Sequence, residues 1–452
     1  MSRKVFDLVI VSAFGRGNWL ATEFASRGWG VSLLDATPAL GSFDERDVEG
    51  PFGLLEASDL HPSQRSRLVD EGEFASVTGG FTLWLPEGPL EFRSELTPFL
   101  LRARGVPSDI ESYLRQPAFD SKEALAERRA IRKLQYSHSW LAQFAHSFAS
   151  AAHFENYVAL ESDSVASLFT PYGLRQLTAA GTARGLQNCQ NNGVTVRTGV
   201  QLKNFTFNGK TAVSFDYDDG PEGPIIEQAR AFVFCLSYDE TKTISDSLLR
   251  GLFPADWPEA PWVWQRLSMR ASDASFLSMI PLTSVVITDV DLAWTRANMI
   301  VLRRRAGSAD FDAWVKIPNW MRREKPAYEQ VQNEVRSALE KRFPGVRLED
   351  VDQDMTPLLW PIWSGDEFRV VQGAAAPRKG PNLFFNSPGI WTSLDWMGRF
   401  RHENTIVTKL EKLKNQWDAA ARKEEARSHQ KNQQAKAQAN VRAKIHDRNE
   451  KG

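Results

Sequence analysis

Short apolar runs alternate with amphipathic stretches along this chain, in an order that predicts a layered α/β fold. Residues 6–11 (FDLVIV) form the compact apolar run expected of a strand buried on both faces. SAFGRG, residues 12–17, reads as the turn that follows. From residue 18 to 27, Leu20, Ala21, Phe24 and Ala25 fall at helical spacing, and Gly28 stands where a helix C-cap belongs. A second apolar strand covers 30–34 and ends at Asp35, completing a strand–helix–strand entry unit.

Beyond it the pattern changes. Residues 75–92 predict two strands around a turn from Pro86 to Gly88, and 95–155 read as mostly helical. Trp140, Phe144 and Phe148 fall every fourth residue there, a stripe that reads as core packing. A helix is expected over 174–191, then short strands at 194–197, 203–207 and 212–217, with Asn208-Gly209 as a hairpin turn. AFVFCL, 231–236, is another buried-strand run, and longer strands follow at 284–290 and 297–303. Val331, Val335, Leu339 and Phe343 mark an amphipathic helix over 326–343. A last strand at 382–386 and a helix over 397–413 complete the patterned region.

From residue 416 the chain turns polar, with Trp417, Val441 and Ile445 its main apolar residues. Such a segment buries too little surface to fold alone, so it reads as a solvated helix or a disordered tail. From Glu411 to Lys451 it carries eleven Lys or Arg against six Asp or Glu. That excess could meet RNA, acidic lipid or a protein partner, but the interspersed charges favour a solvated helical extension.

Composition narrows the function classes. The 452 residues carry a net charge of −1, so no global field recruits nucleic acid or an anionic membrane. Cys189 and Cys235 match neither a disulfide framework nor zinc-ligand spacing and read as small buried hydrophobes. The 7 histidines form no metal-ligand pattern, so no metal is expected. Asp7 interrupts the first apolar run, which argues against a signal peptide, and no stretch reaches membrane-span length. A soluble, reduced, cytoplasmic protein is the default expectation.

The first turn carries the candidate chemistry. A dinucleotide fold places three glycines there: one for the tight turn, one for backbone approach to pyrophosphate, one for close helix–strand packing. An acid about 20 positions on, at the end of the second strand, meets the ribose. Here Ser12, Phe14 and Gly17 hold the three glycine positions, and Asp35 lies 23 positions after Ser12. A register beginning at Gly15 would put Leu20 at the third glycine, so the first register is preferred. It keeps the packing glycine and the acid together.

DLVIV, Gly17 and ATEFASRGWGVSLLD resemble the opening of the flavin amine oxidase and phytoene desaturase family. GGFTLWLPEGPLEF is similar to that family's first substrate-domain strands. PYGL, the helix after it and GVTVRTGV resemble its second FAD-domain block, where Val200 matches a position that touches adenine. EVRSALEKRFPGV and Asn382-Leu383-Phe384-Phe385 resemble its closing helix and strand. The resemblance implies a Rossmann-like FAD/NAD(P)-binding domain from 1–75, 156–255 and 365–415. An inserted α+β substrate domain would come from 76–155 and 256–364, with a charged tail at 416–452. FAD is the implied cofactor, and the implied cofactor-binding positions are Ser12, Phe14, Gly15, Gly17, Asp35, Val200 and Ser387.

The departures point the other way. Ser387-Pro388 replaces a Gly-Asp pair whose carboxylate the family uses at the flavin, and Thr392-Ser393-Leu394-Asp395-Trp396-Met397 replaces a glycine-rich turn. Phe14 puts a ring where backbone should approach phosphate. Weak or absent FAD binding is therefore expected, with a binding or scaffold role through the substrate domain, for a protein partner or a small organic ligand. Rab GDP-dissociation inhibitors show that this fold can serve without flavin chemistry. The alternative is an active FAD-dependent oxidoreductase or desaturase. No catalytic residue is assigned; Lys316, in AWVKIP, reads as a solvent-facing strand residue, with a flavin-side role as the lesser option. Trp84, Trp262, Trp264, Trp360 and Trp363 read as core packing first and as a partner surface second.

Overall fold

The computed structural model describes residues 5–37, 54–55, 74–76, 81–85, 88–92, 174–177, 179–209, 211–218, 224–236, 262–280, 283–287, 299–304, 309–351, 359–362, 382–386 and 396–449. The expected helices of 95–155 and the turns at 387–395, Ser387 included, lie outside them. Two compact units are distinguished, Met1–His402 and Glu403–Gly452.

The first unit opens with β1 (Val5–Ser12), α1 (Asn18–Ser26) and β2 (Val31–Asp35). Short strands β3 (Leu54–Leu55) and β4 (Phe74–Ser76) follow, then the hairpin β5 (Phe81–Leu85) and β6 (Gly88–Phe92). Next come β7 (Leu174–Leu177), α2 (Ala179–Asn191), β8 (Thr195–Thr198), β9 (Gln201–Asn208), β10 (Thr211–Asp218) and β11 (Pro224–Cys235). After β12 (Trp262–Ala271) and α3 (Ala274–Met279) come β13 (Thr283–Ile287), β14 (Met299–Arg304) and β15 (Asp310–Pro318). The remainder is α4 (Lys325–Arg342), β16 (Leu348–Asp350), β17 (Leu359–Ile362), β18 (Leu383–Phe385) and α5 (Trp396–Asn449).

One sheet runs β8-β2-β1-β11-β10-β9, with β18 also on β11. Its centre is parallel: β1 pairs with β2 and β11, β2 with β8, and β11 with β18. Leu8, Val9 and Ile10 are fully buried, as a central parallel strand demands. α1 ends in a Schellman motif, where Gly28 N donates to Ala25 O and Trp29 N to Phe24 O, with Gly28 at φ 79°. Asn382 ties in the last strand: its amide donates to Ala212 O and Arg230 O and its oxygen accepts Ala212 N. Asn208-Gly209 makes the expected turn, with Gly209 at φ 62°.

The second sheet runs β16-β12-β15-β14-β13-β5-β6, with β17 also on β12. One of its faces is covered by α3 and by the end of α4, through ring contacts of Phe276 with Phe311 and Phe343, and of Trp84 with Phe343. Val331, Val335 and Leu339 are buried on α4 as the spacing predicts.

Two expectations need correction. Residues 174–177 are not the start of a helix but strand β7, which pairs with both β3 and β4 in a small third sheet. Local helical spacing lost there to long-range pairing, and the helix begins at Ala179. Lys316 is not solvent-facing: it is 6% exposed on β15, between two neighbouring strands. Of the tryptophans with described side chains, Trp264 is fully buried and Trp84 half-buried, as core packing predicts.

In the second unit, the segment expected to be helical or disordered is helix, the continuation of α5 to Asn449. From Glu411 to Lys436 every position is half-buried or exposed.

A dinucleotide-type turn closed by its own side chains

The turn between β1 and α1 is where the sequence places a cofactor, and its geometry is fully described. Gly17 caps α1 and serves as the packing glycine: a Cβ there would lie 2.7 Å from Ile10 Cγ2 and 3.1 Å from Ser12 Cβ. Helix and strand touch at this point, the close approach that a packing glycine permits. Phe14 takes φ 56°, a left-handed conformation costly for a side-chain-bearing residue, and Gly15 follows at φ 71°. The Arg16 guanidinium sits 5.3 Å from the centre of the Phe14 ring, within cation–π range, and Arg16 is buried.

Five consecutive main-chain amides in this turn have acceptors within the chain. Phe14 N donates to Thr37 Oγ1 at 2.8 Å and Gly15 N to Asp35 Oδ2 at 2.9 Å. Arg16 N donates to Ala13 O, Gly17 N to Ser12 Oγ at 2.9 Å, and Asn18 N to Gly15 O. The other Asp35 oxygen accepts Thr37 N at 2.9 Å, and Asp35 is 0% exposed. Val200 is buried beside it, its amide donating to Asp35 O. Ser12, Phe14, Gly15, Gly17, Asp35 and Val200 thus come together at one point.

Residues missed in the sequence complete the turn from α2. Thr182 Oγ1 donates to Phe14 O, Asn18 Nδ2 donates to Thr182 O, and Cys189 Sγ donates to Asn18 O. A Cβ on Gly185 would lie 2.8 Å from Asn18 Nδ2, and one on Gly15 would lie 2.4 Å from Thr182 Cγ2. The signal was present: Gly181 and Gly185 are one helical turn apart, the spacing that lets two helices approach closely. Thr37, two residues past the expected acid, carried no comparable signal.

Among the described residues no cluster of His, Cys, Asp or Glu is arranged to hold a metal. No helix among them is long and apolar enough to cross a membrane.

No protein-family model matches this sequence, and no curated protein matches it. Solved structures do match in fold. An oxidoreductase from Methanosarcina mazei aligns over 89% of this chain and 100% of its own, at 16% identity and a TM-score of 0.52. Putrescine oxidase bound to putrescine aligns over 90% of this chain and 99% of its own, at 10% identity and a TM-score of 0.50. The chain therefore has the fold of the FAD-dependent oxidoreductases, amine oxidases among them: a Rossmann-like domain with a second domain beside it.

Proposed function

We propose that this protein uses the flavoprotein fold with weakened or lost FAD binding, and acts by binding a small organic ligand or a protein partner through its second sheet. One observation carries the reading. The five amides from Phe14 to Asn18, where a pyrophosphate would be cradled, already have acceptors in the chain. Asp35, the acid that would meet the ribose, is fully buried with both oxygens engaged. A nucleotide would have to displace these bonds and move Phe14, so the residues present do not fit FAD as they stand. Breaking these internal bonds offsets part of what bonds to a phosphate would contribute.

The visible absorption spectrum of the purified protein tests this. The expected result is no flavin band, and little uptake of added FAD. A triple change, Ser12→Gly, Phe14→Gly and Pro388→Asp, should raise flavin affinity measurably. Stoichiometric FAD in the unmodified protein would overturn the proposal.

A second reading, an active oxidoreductase, is favoured by Lys316. Burial lowers its pKa to about 8, leaving a lysine that can exchange a proton near neutral pH. Flavin-dependent turnover that is lost in Lys316→Met would establish it.

A further inference from the structure

α5 changes character past Asp418. Over 419–436 every residue is exposed, and none is an apolar residue larger than alanine. A helix bare on all sides for about 27 Å has no packing to account for its sequence. Charge accounts for it instead. At about 100° of turn per residue, Lys409, Lys412, Lys423 and Lys431 all fall within about 60° of Arg427. On that half of the helix, over 409–436, the one carboxylate is Glu424. Glu411, Asp418 and Glu425 lie on the opposite half, where Lys414, Arg422 and Lys436 balance them. Charges that are interspersed along the sequence are thus sorted around the helix, and the net positive charge lies on one side.

All five cations of this ridge are exposed. Lys423, Arg427 and Lys431 follow one another at four-residue spacing, and like charges so placed oppose the helix that carries them. A cationic ridge that weakens its own helix and gains nothing from packing fits a polyanion. Shape selects among polyanions. An α-helix with its side chains is about 10–12 Å across, and the major groove of B-form DNA is about 12 Å wide. The A-form groove of duplex RNA is too narrow for side chains to enter. A bilayer surface holds a helix by an apolar face, which 419–436 lacks. Gln430 and Gln434, on the ridge side, add neutral donors of the kind that meet phosphate oxygens.

We propose that the ridge over 409–431 of α5 binds the phosphates of duplex DNA, without regard to base sequence. The role goes beyond the cofactor and ligand reading above and does not rest on it. The visible spectrum reports on the first turn, whereas DNA titration reports on α5.

Fluorescence anisotropy of a short labelled DNA duplex, titrated with the full chain, tests it. Saturable binding is expected at about 50 mM salt. The logarithm of affinity should fall against the logarithm of salt with a slope of about −4.5, since each of five phosphate contacts contributes about −0.9. Lys423→Gln, Arg427→Gln and Lys431→Gln together should reduce the slope to about −2 and weaken binding about tenfold or more. All three positions are exposed, so the melting temperature of this variant should match that of the unmodified protein. The same loss of charge on the opposite half, by Lys414→Gln, Arg422→Gln and Lys436→Gln, should weaken binding less than about threefold, because those cations face away and are screened. The proposal is overturned if binding does not saturate by about 200 μM protein, within the range of ordinary non-specific affinity. It is equally overturned if the two triple variants weaken binding alike, or if duplex RNA or phosphatidylserine vesicles are bound more tightly than the DNA.

Discussion

The carboxylate of Asp35 accepts the amide of Gly15 at 2.9 Å, binding the end of the second strand to the turn after the first. Its other oxygen holds Thr37 N. Replacing Asp35 with alanine would leave two buried amides unmatched and open a small cavity. The expected loss is about 2–4 kcal/mol of unfolding free energy, read from urea denaturation. A loss below about 0.5 kcal/mol would show that water replaces the carboxylate freely, and that the turn is open.

Gly17 and Gly28 flank the same helix for different reasons, and alanine separates them. At Gly17 a Cβ meets Ile10 and Ser12, so Gly17→Ala should force strand and helix apart and cost about 2–3 kcal/mol. At Gly28 the surrounding space is open and only the left-handed φ is strained, so Gly28→Ala should cost about 1 kcal/mol. Equal effects in thermal melts would remove the packing role from Gly17.

Lys316 makes stability depend on alkaline pH. Burial holds its folded-state pKa at about 8, below the ordinary 10.5. Below pH 8 both folded and unfolded chains are protonated there, and the folded state bears the full cost of the buried charge. As pH rises from about 8 to 10.5 the unfolded chain holds more protons, so stability rises, by on the order of 3 kcal/mol at most. Lys316→Met should be the more stable protein at pH 7 and should lack this increment. Parallel urea curves for the two proteins at about pH 7 and 9.5 check the sign.

Removing residues 417–452 should leave the melting temperature within about 2 °C of the full chain. From Trp417 to Lys436 every position is half-buried or exposed, and exposed polar helix contributes little burial. A fall of more than about 5 °C would show that the segment is covered in solution.

Much of the first sheet was legible because its strands are short apolar runs bounded by turn residues. Residues 6–11, 30–35 and 231–236 could be read that way, and Gly17 and Gly28 marked both ends of the helix. Strand β7 was not legible, because a four-residue segment gains its strand character from partners about 100 residues away or more. Lys316 was misread for a related reason. An isolated lysine in AWVKIP looks solvent-facing until the strands beside it are known. Of the candidate site, the residues were legible but their partners were not: nothing local announces that Asp35 and Thr37 turn inward onto amides 20 and 23 positions back.

The pairing of β1 with β11 sets Val5 opposite Gln228. On the ribosome, at roughly 5–20 residues per second, β1 waits roughly 10–45 s for that partner to be made. During the wait, one edge of β1, whose Leu8, Val9 and Ile10 end up fully buried, remains unclosed, and β18, which also joins this sheet, is synthesised later still. Nascent chains of this design therefore pass through a long stage open to strand addition by a neighbour on the same message. Masking residues 5–12 until β11 emerges would therefore protect the nascent chain from aggregation.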